Sequence, residues 1–237
     1  MYFLPTLRIF VKKALIPVGN TMYIYGGGWN SADTGAGETA LCPAPSPGWQ
    51  KFFNSVDKNF DFHNFLYKSD LGLDCTGYIG WCLYSLFYPV CPQGGFVFKS
   101  SSLGERLRAL GLGSVQDGGI LLSHRCGDIF YSAKHRHTYI TLGQFSDKSA
   151  LILHSSPPGV MVSGTASPLG SEKSIAQKYA SFFMQEHFPA WYKKFSDSDR
   201  GLQYLTDYTR FRFFEVVLPD PEGLSYLCPD EVLRRVI

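Results

Sequence analysis

The stretch Leu73-Asp74-Cys75-Thr76-Gly77-Tyr78-Ile79-Gly80-Trp81 begins a regular apolar pattern in this 237-residue chain. After Cys75, apolar or aromatic residues recur at 78, 79, 82, 83, 86 and 87, which is the spacing of one helix face. Asp74 is a favourable N-cap, so Cys75 is predicted to lie in the first turn of a buried helix. Unpaired N–H groups and the helix dipole favour a thiolate there, whereas the alternative is an inert core cysteine.

The same residues resemble the signature of a known family. Asp-Cys-Thr-Gly-Tyr-Ile-x-Trp is similar to the Asp-Cys-Ser-Gly-Phe-Val-x-Trp signature of the NlpC-type cell-wall cysteine peptidases. These are papain-like enzymes that cut peptidoglycan stem peptides. The resemblance implies three further pieces in chain order. They are an upstream Tyr-x-x-Gly-Gly, a Gly-Asp strand followed by a His strand, and a second His one strand later.

Each of these pieces is present in the implied order. Tyr23-Ile24-Tyr25-Gly26-Gly27 matches the upstream motif, and Gly127-Asp128 begins a predicted strand. His137-Thr-Tyr-Ile-Thr-Leu-Gly matches the family's His-Val-Gly-Ile-Tyr-Leu-Gly at the histidine, isoleucine, leucine and final glycine. His154 follows in Leu-Ile-Leu-His-Ser-Ser. Four motifs in sequence are a far more specific signal than any one of them.

The resemblance assigns a catalytic role to three residues. Cys75 would be the nucleophile, His137 the base and acid, and His154 the group that orients His137. A thiolate attacks the scissile carbonyl, and an imidazole holds the proton and later gives it to the leaving amine. A third polar group fixes that imidazole through its other ring nitrogen.

Further residues are implied to bind substrate or the oxyanion. The hydroxyl of Tyr23, or of Tyr25 as the alternative, would face the cysteine and join its backbone N–H in the oxyanion hole. Asp74 and Thr76 would contact the substrate, although Asp74 could also do no more than cap the helix. Two departures are expected to reshape the pocket: Thr76 replaces the usual Ser, and Tyr139 replaces a Gly.

Helical spacing dominates the first half of the chain and alternation the second, which predicts an α+β fold. Residues 7–15 are predicted to form a helix capped by Thr6, and Ser102 to Glu105 reads as a capping box for another. Residues 112–123 are predicted to be a loop. An antiparallel meander of four strands is predicted at 127–131, 137–143, 150–154 and 159–163. A helix is predicted at 175–183, a last strand at 208–217 and a short terminal helix at 229–237.

We interpret residues 1–237 as one catalytic domain with an insertion at residues 29–73. In the family the gap between the tyrosine motif and the cysteine is usually much shorter. Residues 30–48 are rich in Gly, Pro, Ser and Ala and predict an open loop. The remainder is rich in Phe, Trp and Tyr and must pack on the body.

Composition excludes several classes of function. The net charge is +2 without a basic run, so no nucleic-acid partner is expected, and no apolar run is long enough to span a membrane. None of the six cysteines forms a Cys-x-x-Cys pair, so a zinc site is not expected. The reaction that the resemblance implies needs neither metal nor cofactor. The alternative is a metal bound by His135 and His137, which would share one face of a strand.

The sequence therefore predicts a papain-like α+β fold, with N-terminal helices and the catalytic cysteine's helix packed on an antiparallel sheet. The predicted function is hydrolysis of the D-γ-glutamyl–diamino acid bond in peptidoglycan stem peptides. The alternatives are an amidase or acyltransferase on the same scaffold, or a wall-binding module without catalysis. We expect a secreted or wall-associated bacterial protein whose signal segment this chain lacks, or else one that recycles muropeptides in the cytoplasm.

Overall fold

A computed structural model describes residues 5–28, 45–87, 96–117, 123–170 and 172–237. Within these ranges the chain has an α+β fold, as predicted. The helices are α1 (Leu7–Leu15), α2 (Pro47–Ser55), α3 (Cys75–Phe87), α4 (Leu103–Ala109), α5 (Ile175–His187), α6 (Pro189–Lys194), α7 (Gln203–Thr206) and α8 (Pro229–Val236). The strands are β1 (Met22–Tyr23), β2 (Gly72–Leu73), β3 (Gly113–Gln116), β4 (Ile129–Ser132), β5 (His137–Gln144), β6 (Ala150–Ser156), β7 (Gly159–Thr165), β8 (Asp199–Arg200) and β9 (Thr209–Phe213).

The described strands form one sheet in the order β2-β1-β7-β6-β5-β4-β9-β3, with β8 paired in parallel to β7. Strands β4 to β7 make the predicted antiparallel meander. Strand β5 pairs with β4 from His137 onwards, but its described pairing with β6 begins only at Ile140. At the start of β5, the backbone groups that face away from β4 are therefore not paired with β6. The start of α3 lies in this opening between the strands.

Most of the core lies where the long helices cover the sheet. All thirteen residues of α3 are buried, so this helix is enclosed on every side rather than on the one predicted face. Alternate residues of β6 point to opposite faces of the sheet. Leu151 and Leu153 join the main core with α1, α3 and α5, whereas Ile152 joins a smaller cluster beside α7. His154 therefore faces the side of the sheet on which α7 lies.

Four local predictions need correction. Residues 113–116 are strand β3 and not loop, because they pair with the distant strand β9, which local patterning cannot reveal. Ser102 makes no capping bond, because its backbone, at φ −138° and ψ 5°, is not in the extended conformation of an N-cap. Its hydroxyl donates to the carbonyl oxygen of Lys99 at 3.5 Å. Residues 47 and 48 belong to α2, where Ser46 accepts a bond from the backbone of Gly48. The last strand is shorter than predicted and ends at Phe213.

The aromatic half of the insertion packs on the body, as predicted. Trp49 meets Trp81 of α3 edge to face at 5.5 Å, and Phe53 stacks on Trp191 of α6 at 5.4 Å. Lys194 donates to the carbonyl oxygens at the end of α2. Residues 29–44, most of the predicted open loop, lie outside the described residues, as do Cys42 and Cys91. The described part of the insertion is thus a packed element.

Substitution of a buried glycine in β7 tests how closely α5 packs on the sheet. A Cβ at Gly164 of β7 would lie 2.1 Å from the backbone carbon of Ala176 in α5, and backbone atoms cannot yield as a flexible side chain does. We expect Gly164→Ala to lower the free energy of unfolding by about 1–3 kcal/mol, measured by urea denaturation. Gly170→Ala is the control, because nothing lies within 4 Å of its Cβ position. Equal midpoints for both variants would contradict this packing.

Candidate active site

Cys75 is the first residue of α3, and its side chain lies in the opening at the start of β5. Its thiol donates to the carbonyl oxygen of Arg136 at 3.9 Å and lies beside the backbone N–H of Thr138. These two groups flank His137 in the chain. The structure therefore brings the predicted nucleophile against the backbone that carries the predicted base.

Burial opposes the predicted thiolate at Cys75. Burial raises the pKa of this thiol well above its usual range, and the neighbouring carboxylate of Asp74 raises it further. The backbone N–H groups of Thr138 and Thr76 act in the opposite direction without offsetting burial. The predicted first-turn position of Cys75 is confirmed, and burial acts against the thiolate that this position favours.

His137 and His154 lie together on the α7 side of the sheet. Nε2 of His137 is 2.9 Å from Nδ1 of His154, which is the contact expected of an orienting group. This contact leaves Nδ1 of His137 as the ring nitrogen for exchange with a thiol. Burial lowers the pKa of His137 to about 3, and Arg200 and His135 contribute to the shift. Burial and Arg200 also hold the pKa of His154 well below its usual value.

Asp74 fixes the position of the helix start. Its Oδ1 accepts bonds from the backbone N–H of Gly77 at 2.6 Å and from the hydroxyl of Thr76 at 2.9 Å. Its Oδ2 accepts from the backbone N–H of Gly26 at 3.1 Å, so the carboxylate also ties the tyrosine motif to α3. The capping role is therefore confirmed, while substrate contact by Asp74 and Thr76 remains a prediction.

The glycine after Thr76 is required by close approach of two backbone segments. A Cβ at Gly77 would lie 1.9 Å from the carbonyl oxygen of Gly27. The tyrosine motif and the helix start consequently fit together only with glycine at this position. This contact places Tyr23 beside the thiol, and burial and Cys75 raise the pKa of its phenol, which keeps the hydroxyl protonated as a donor.

A cavity of about 730 Å³ opens onto the thiol. Tyr23 and Tyr25 line it from the tyrosine motif, and Tyr67 lines it from the insertion. Asp74, Cys75 and Thr76 form its floor, and further lining residues are Gly26, Lys99, Ser100, Ser101, Ala133 and Arg136. All six predicted site residues therefore lie at one place, with Cys75, Tyr23, Asp74 and Thr76 in the cavity and His137 bonded to His154 behind it.

Two residues of the cavity rim were not predicted from the sequence. Tyr67 and Arg136 have positive φ values of 57° and 49°, which non-glycine residues rarely adopt. Of the described non-glycine residues, only Lys148 also has a positive φ, so two of the three residues with this strained backbone lie at the cavity. No local signal marks Tyr67, whereas the position of Arg136 next to His137 could have singled it out.

Tyr139 does not reshape the pocket as predicted. Its side chain is fully buried, stacks on Phe130 with ring centroids 5.1 Å apart, and donates from its hydroxyl to the carbonyl oxygen of Tyr204. Tyr204 in turn lies edge-on to both His137 and His154, at 5.7 and 6.0 Å. Tyr139 therefore holds α7 over the two histidines.

The alternative metal site is not formed by the described residues. His135 lies in the turn before β5, so it does not share a strand face with His137. Its Nε2 instead contacts the carboxylate of Asp207 at 2.9 Å, and its ring stacks on Tyr208. Within the described ranges, no group of three or more His, Cys, Asp or Glu residues is arranged to hold a metal ion.

The pKa of Asp74 makes the unfolding free energy of the protein depend on pH. Burial raises its pKa to about 6 despite three hydrogen bonds, so the folded chain binds this proton more tightly than the unfolded chain does. The corresponding stability is present below the unfolded pKa of about 4 and is lost as the pH rises through about 6. We expect the parent to lose about 3 kcal/mol of unfolding free energy relative to Asp74→Asn between about pH 4 and pH 7.

Urea denaturation of both proteins across this pH range measures the difference. Asp70→Asn, at an exposed carboxylate on the same side of α3, serves as the control for removing one negative charge. A constant difference between the parent and Asp74→Asn would show that Asp74 does not change its proton affinity on folding.

We compared the chain with protein families, curated proteins and solved structures. No protein-family model, no curated protein and no solved structure matches the chain. The described part of the chain contains no helix that is both long and apolar enough to cross a membrane. The resemblance to the NlpC-type peptidases therefore depends on the motifs in the sequence, and the geometry of Cys75, His137 and His154 is the independent observation beside it.

Proposed function

We propose that this chain is a papain-like cysteine peptidase of the NlpC type. It hydrolyses the amide bond between D-γ-glutamate and the following diamino acid in peptidoglycan stem peptides. The observation that carries the proposal is the position of Cys75, at a helix start against the backbone on either side of His137, with His154 bonded to the far nitrogen of that imidazole. The reaction belongs at a bacterial cell wall or in cytoplasmic recycling of muropeptides.

The proposed reaction needs only groups of this chain and water. As the sulfur of Cys75 attacks the carbonyl carbon, Nδ1 of His137 takes the thiol proton. The backbone N–H of Cys75 and the hydroxyl of Tyr23 donate to the developing oxyanion. His137 then protonates the leaving amine, and a thioester remains on Cys75. Water activated by His137 hydrolyses this thioester and restores the thiol.

The lining of the cavity supports a charged, peptide-like substrate. Lys99 and Arg136 line it together with two serines, and its volume of about 730 Å³ is in the range of sites that hold compact ligands. Stem peptides carry several carboxylates, which guanidinium and ammonium groups bind well. A lipid substrate, as in an acyltransferase, would favour an apolar lining instead.

Substitution of the nucleophile tests the reaction. We expect Cys75→Ala and His137→Ala each to lower turnover of purified muropeptides by more than about a thousandfold, because residues that act as a unit lose activity together. Mass spectrometry of the digested muropeptides measures the products. Cys228→Ser is the matched control, because Cys228 is a free, exposed cysteine outside the cavity, and it should retain parent activity.

Two outcomes would reject the proposed function. Equal cleavage by the parent and by Cys75→Ala would show that the reaction does not use this thiol. No cleavage by the parent, together with a Cys75 that resists iodoacetamide in the folded protein, would favour a wall-binding module without catalysis.

Tyr67 tests whether the insertion forms a wall of the substrate groove. Its ring lies over Gly26, where an added Cβ would be 2.2 Å from Cδ1, and it meets Tyr25 edge to face at 5.8 Å. We expect Tyr67→Ala to lower kcat/KM about tenfold for the preferred muropeptide, and to change the product profile on a mixed pool, since it widens the groove. Tyr67→Phe should retain the parent profile. Tyr226→Ala is the control, because this exposed tyrosine lies outside the cavity. An unchanged profile for Tyr67→Ala would show that the insertion does not touch substrate.

A further inference from the structure

The hydrogen-bond chain that starts at the thiol does not end at His154. Arg200 of β8 donates from Nε to Nε2 of His154 at 3.3 Å. The same guanidinium donates to the carbonyl oxygen of Asp199 at 2.6 Å and to the sulfur of Met161 at 3.3 Å. Its side chain is only 11% exposed, so these contacts replace water. The hydroxyl of Ser163 also lies 3.0 Å from Nε2 of His154.

We propose that Arg200 is a positioning residue that fixes which nitrogens of His137 and His154 carry protons and thereby restrains the reactivity of Cys75. This inference rests on the proposed roles of Cys75 and His137. It assigns a fourth residue to the proton chain and predicts that the protein rests in a form in which His137 cannot yet accept the thiol proton.

The argument follows from what each group can donate. An arginine guanidinium donates and never accepts, so Nε2 of His154 must offer its lone pair. Neutral His154 then carries its proton on Nδ1 and donates it to Nε2 of His137, 2.9 Å away. Neutral His137 must in turn carry its own proton on Nδ1. That is the nitrogen left for the thiol, and an N–H cannot act as a base.

The thiol contact agrees with this arrangement. Cys75 donates its proton to the carbonyl oxygen of Arg136, at 3.9 Å, and so does not depend on His137 as an acceptor. When Arg200 contacts His154, the N–H of Arg200 and the Nδ1–H of His154 therefore both have an acceptor, at Nε2 of His154 and Nε2 of His137. The opposite arrangement, with a proton on Nε2 of His154, would place two N–H groups of Arg200 and His154 against each other.

The positive charge of Arg200, like its hydrogen bond, opposes the transfer of the thiol proton to His137. After burial, Arg200 is the largest cause of the lowered pKa of both histidines, so it opposes an imidazolium at either ring. The formation of a thiolate–imidazolium pair is disfavoured accordingly. Around the thiol and the histidines, the other titratable or charged groups are Asp74, Tyr23, His135, Arg136, Tyr204 and Tyr208. Three further carboxylates lie around these groups: Asp197 is 3.8 Å from the guanidinium of Arg200, Asp199 pairs with Lys173, and Asp207 contacts His135.

Ser163 supplies the acceptor for the opposite, reactive arrangement. When Nε of Arg200 moves away, Nε2 of His154 can carry the proton and donate it to the Ser163 hydroxyl. Nδ1 of His154 then accepts from Nε2 of His137, and Nδ1 of His137 becomes the base. In this exchange the proton on Nδ1 of His154 passes to Nε2 of His137, the proton on Nδ1 of His137 leaves to water, and Nε2 of His154 gains one from water. Each ring keeps one proton, so the net charge does not change. The bonds of Arg200 to Asp199 and Met161 can hold its side chain nearby.

Nitrogen-15 NMR of histidine-labelled protein tests the tautomers directly. In the parent we expect Nε2 of His154 and Nε2 of His137 to be unprotonated, and in Arg200→Met we expect the protons to move to these two nitrogens. Lys173→Met is the matched control, because Lys173 is a nearby cation that pairs with Asp199 without contacting His154. It should retain the parent tautomers.

The reactivity of the thiol gives a second measurement. The rate at which iodoacetamide alkylates Cys75, followed by peptide mapping across a range of pH, should rise roughly tenfold or more in Arg200→Met at neutral pH, with the increase beginning at lower pH. Lys173→Met should stay within about twofold of the parent. An equal or lower rate in a folded Arg200→Met, or a proton on Nε2 of His154 in the parent, would overturn the proposal.

These measurements separate the role of Arg200 from the proposed function. Neither tautomers nor alkylation requires a substrate, so an expected result in both without muropeptide cleavage would reject the peptidase and leave the role of Arg200 standing. Circular dichroism establishes whether Arg200→Met is folded. If it is not, the tautomers of the parent alone decide the question, because they are predicted without any substitution.

Discussion

The buried carboxylate of Asp74 is the interaction on which the candidate site depends. It accepts bonds from Gly77 at the start of α3 and from Gly26 in the tyrosine motif, two segments 51 residues apart in the chain. The parallel pair of β1 and β2 aligns the same segments, and the hydroxyl of Ser155 in β6 donates to the carbonyl oxygen of Leu73. The nucleophile is therefore held by hydrogen bonds from three elements rather than by its own helix alone.

Burial is also what determines the electrostatics of the site. It raises the pKa of Cys75 and lowers the pKa of both histidines, which disfavours the ion pair that their residue types alone would suggest. In such a site the direction of each hydrogen bond matters more than the net charge of the site, because each donor must face an acceptor along the series of hydrogen bonds. The arginine at the end of this chain consequently influences a sulfur that it does not touch.

Much of the fold could be predicted because its signals are local. The helix from Leu7 to Leu15 with Thr6 as its cap and the antiparallel meander of β4 to β7 appear as predicted. Predictions failed where a partner distant in sequence decides the outcome. Strand β3 forms because β9 lies beside it. The Ser102 cap is a different, local case, because its backbone is not in the extended conformation of an N-cap.

By itself, the sequence determined that the chain is α+β, since helical and strand periodicity are local, and its resemblance to a known family singled out the six candidate site residues. Only the tertiary structure decided that burial raises the pKa of Cys75, that Tyr67 and Arg136 form the cavity rim, and that Arg200 contacts His154. The physical reason is that burial, cavity shape and the matching of donors with acceptors depend on groups that are distant in the chain and adjacent only after folding.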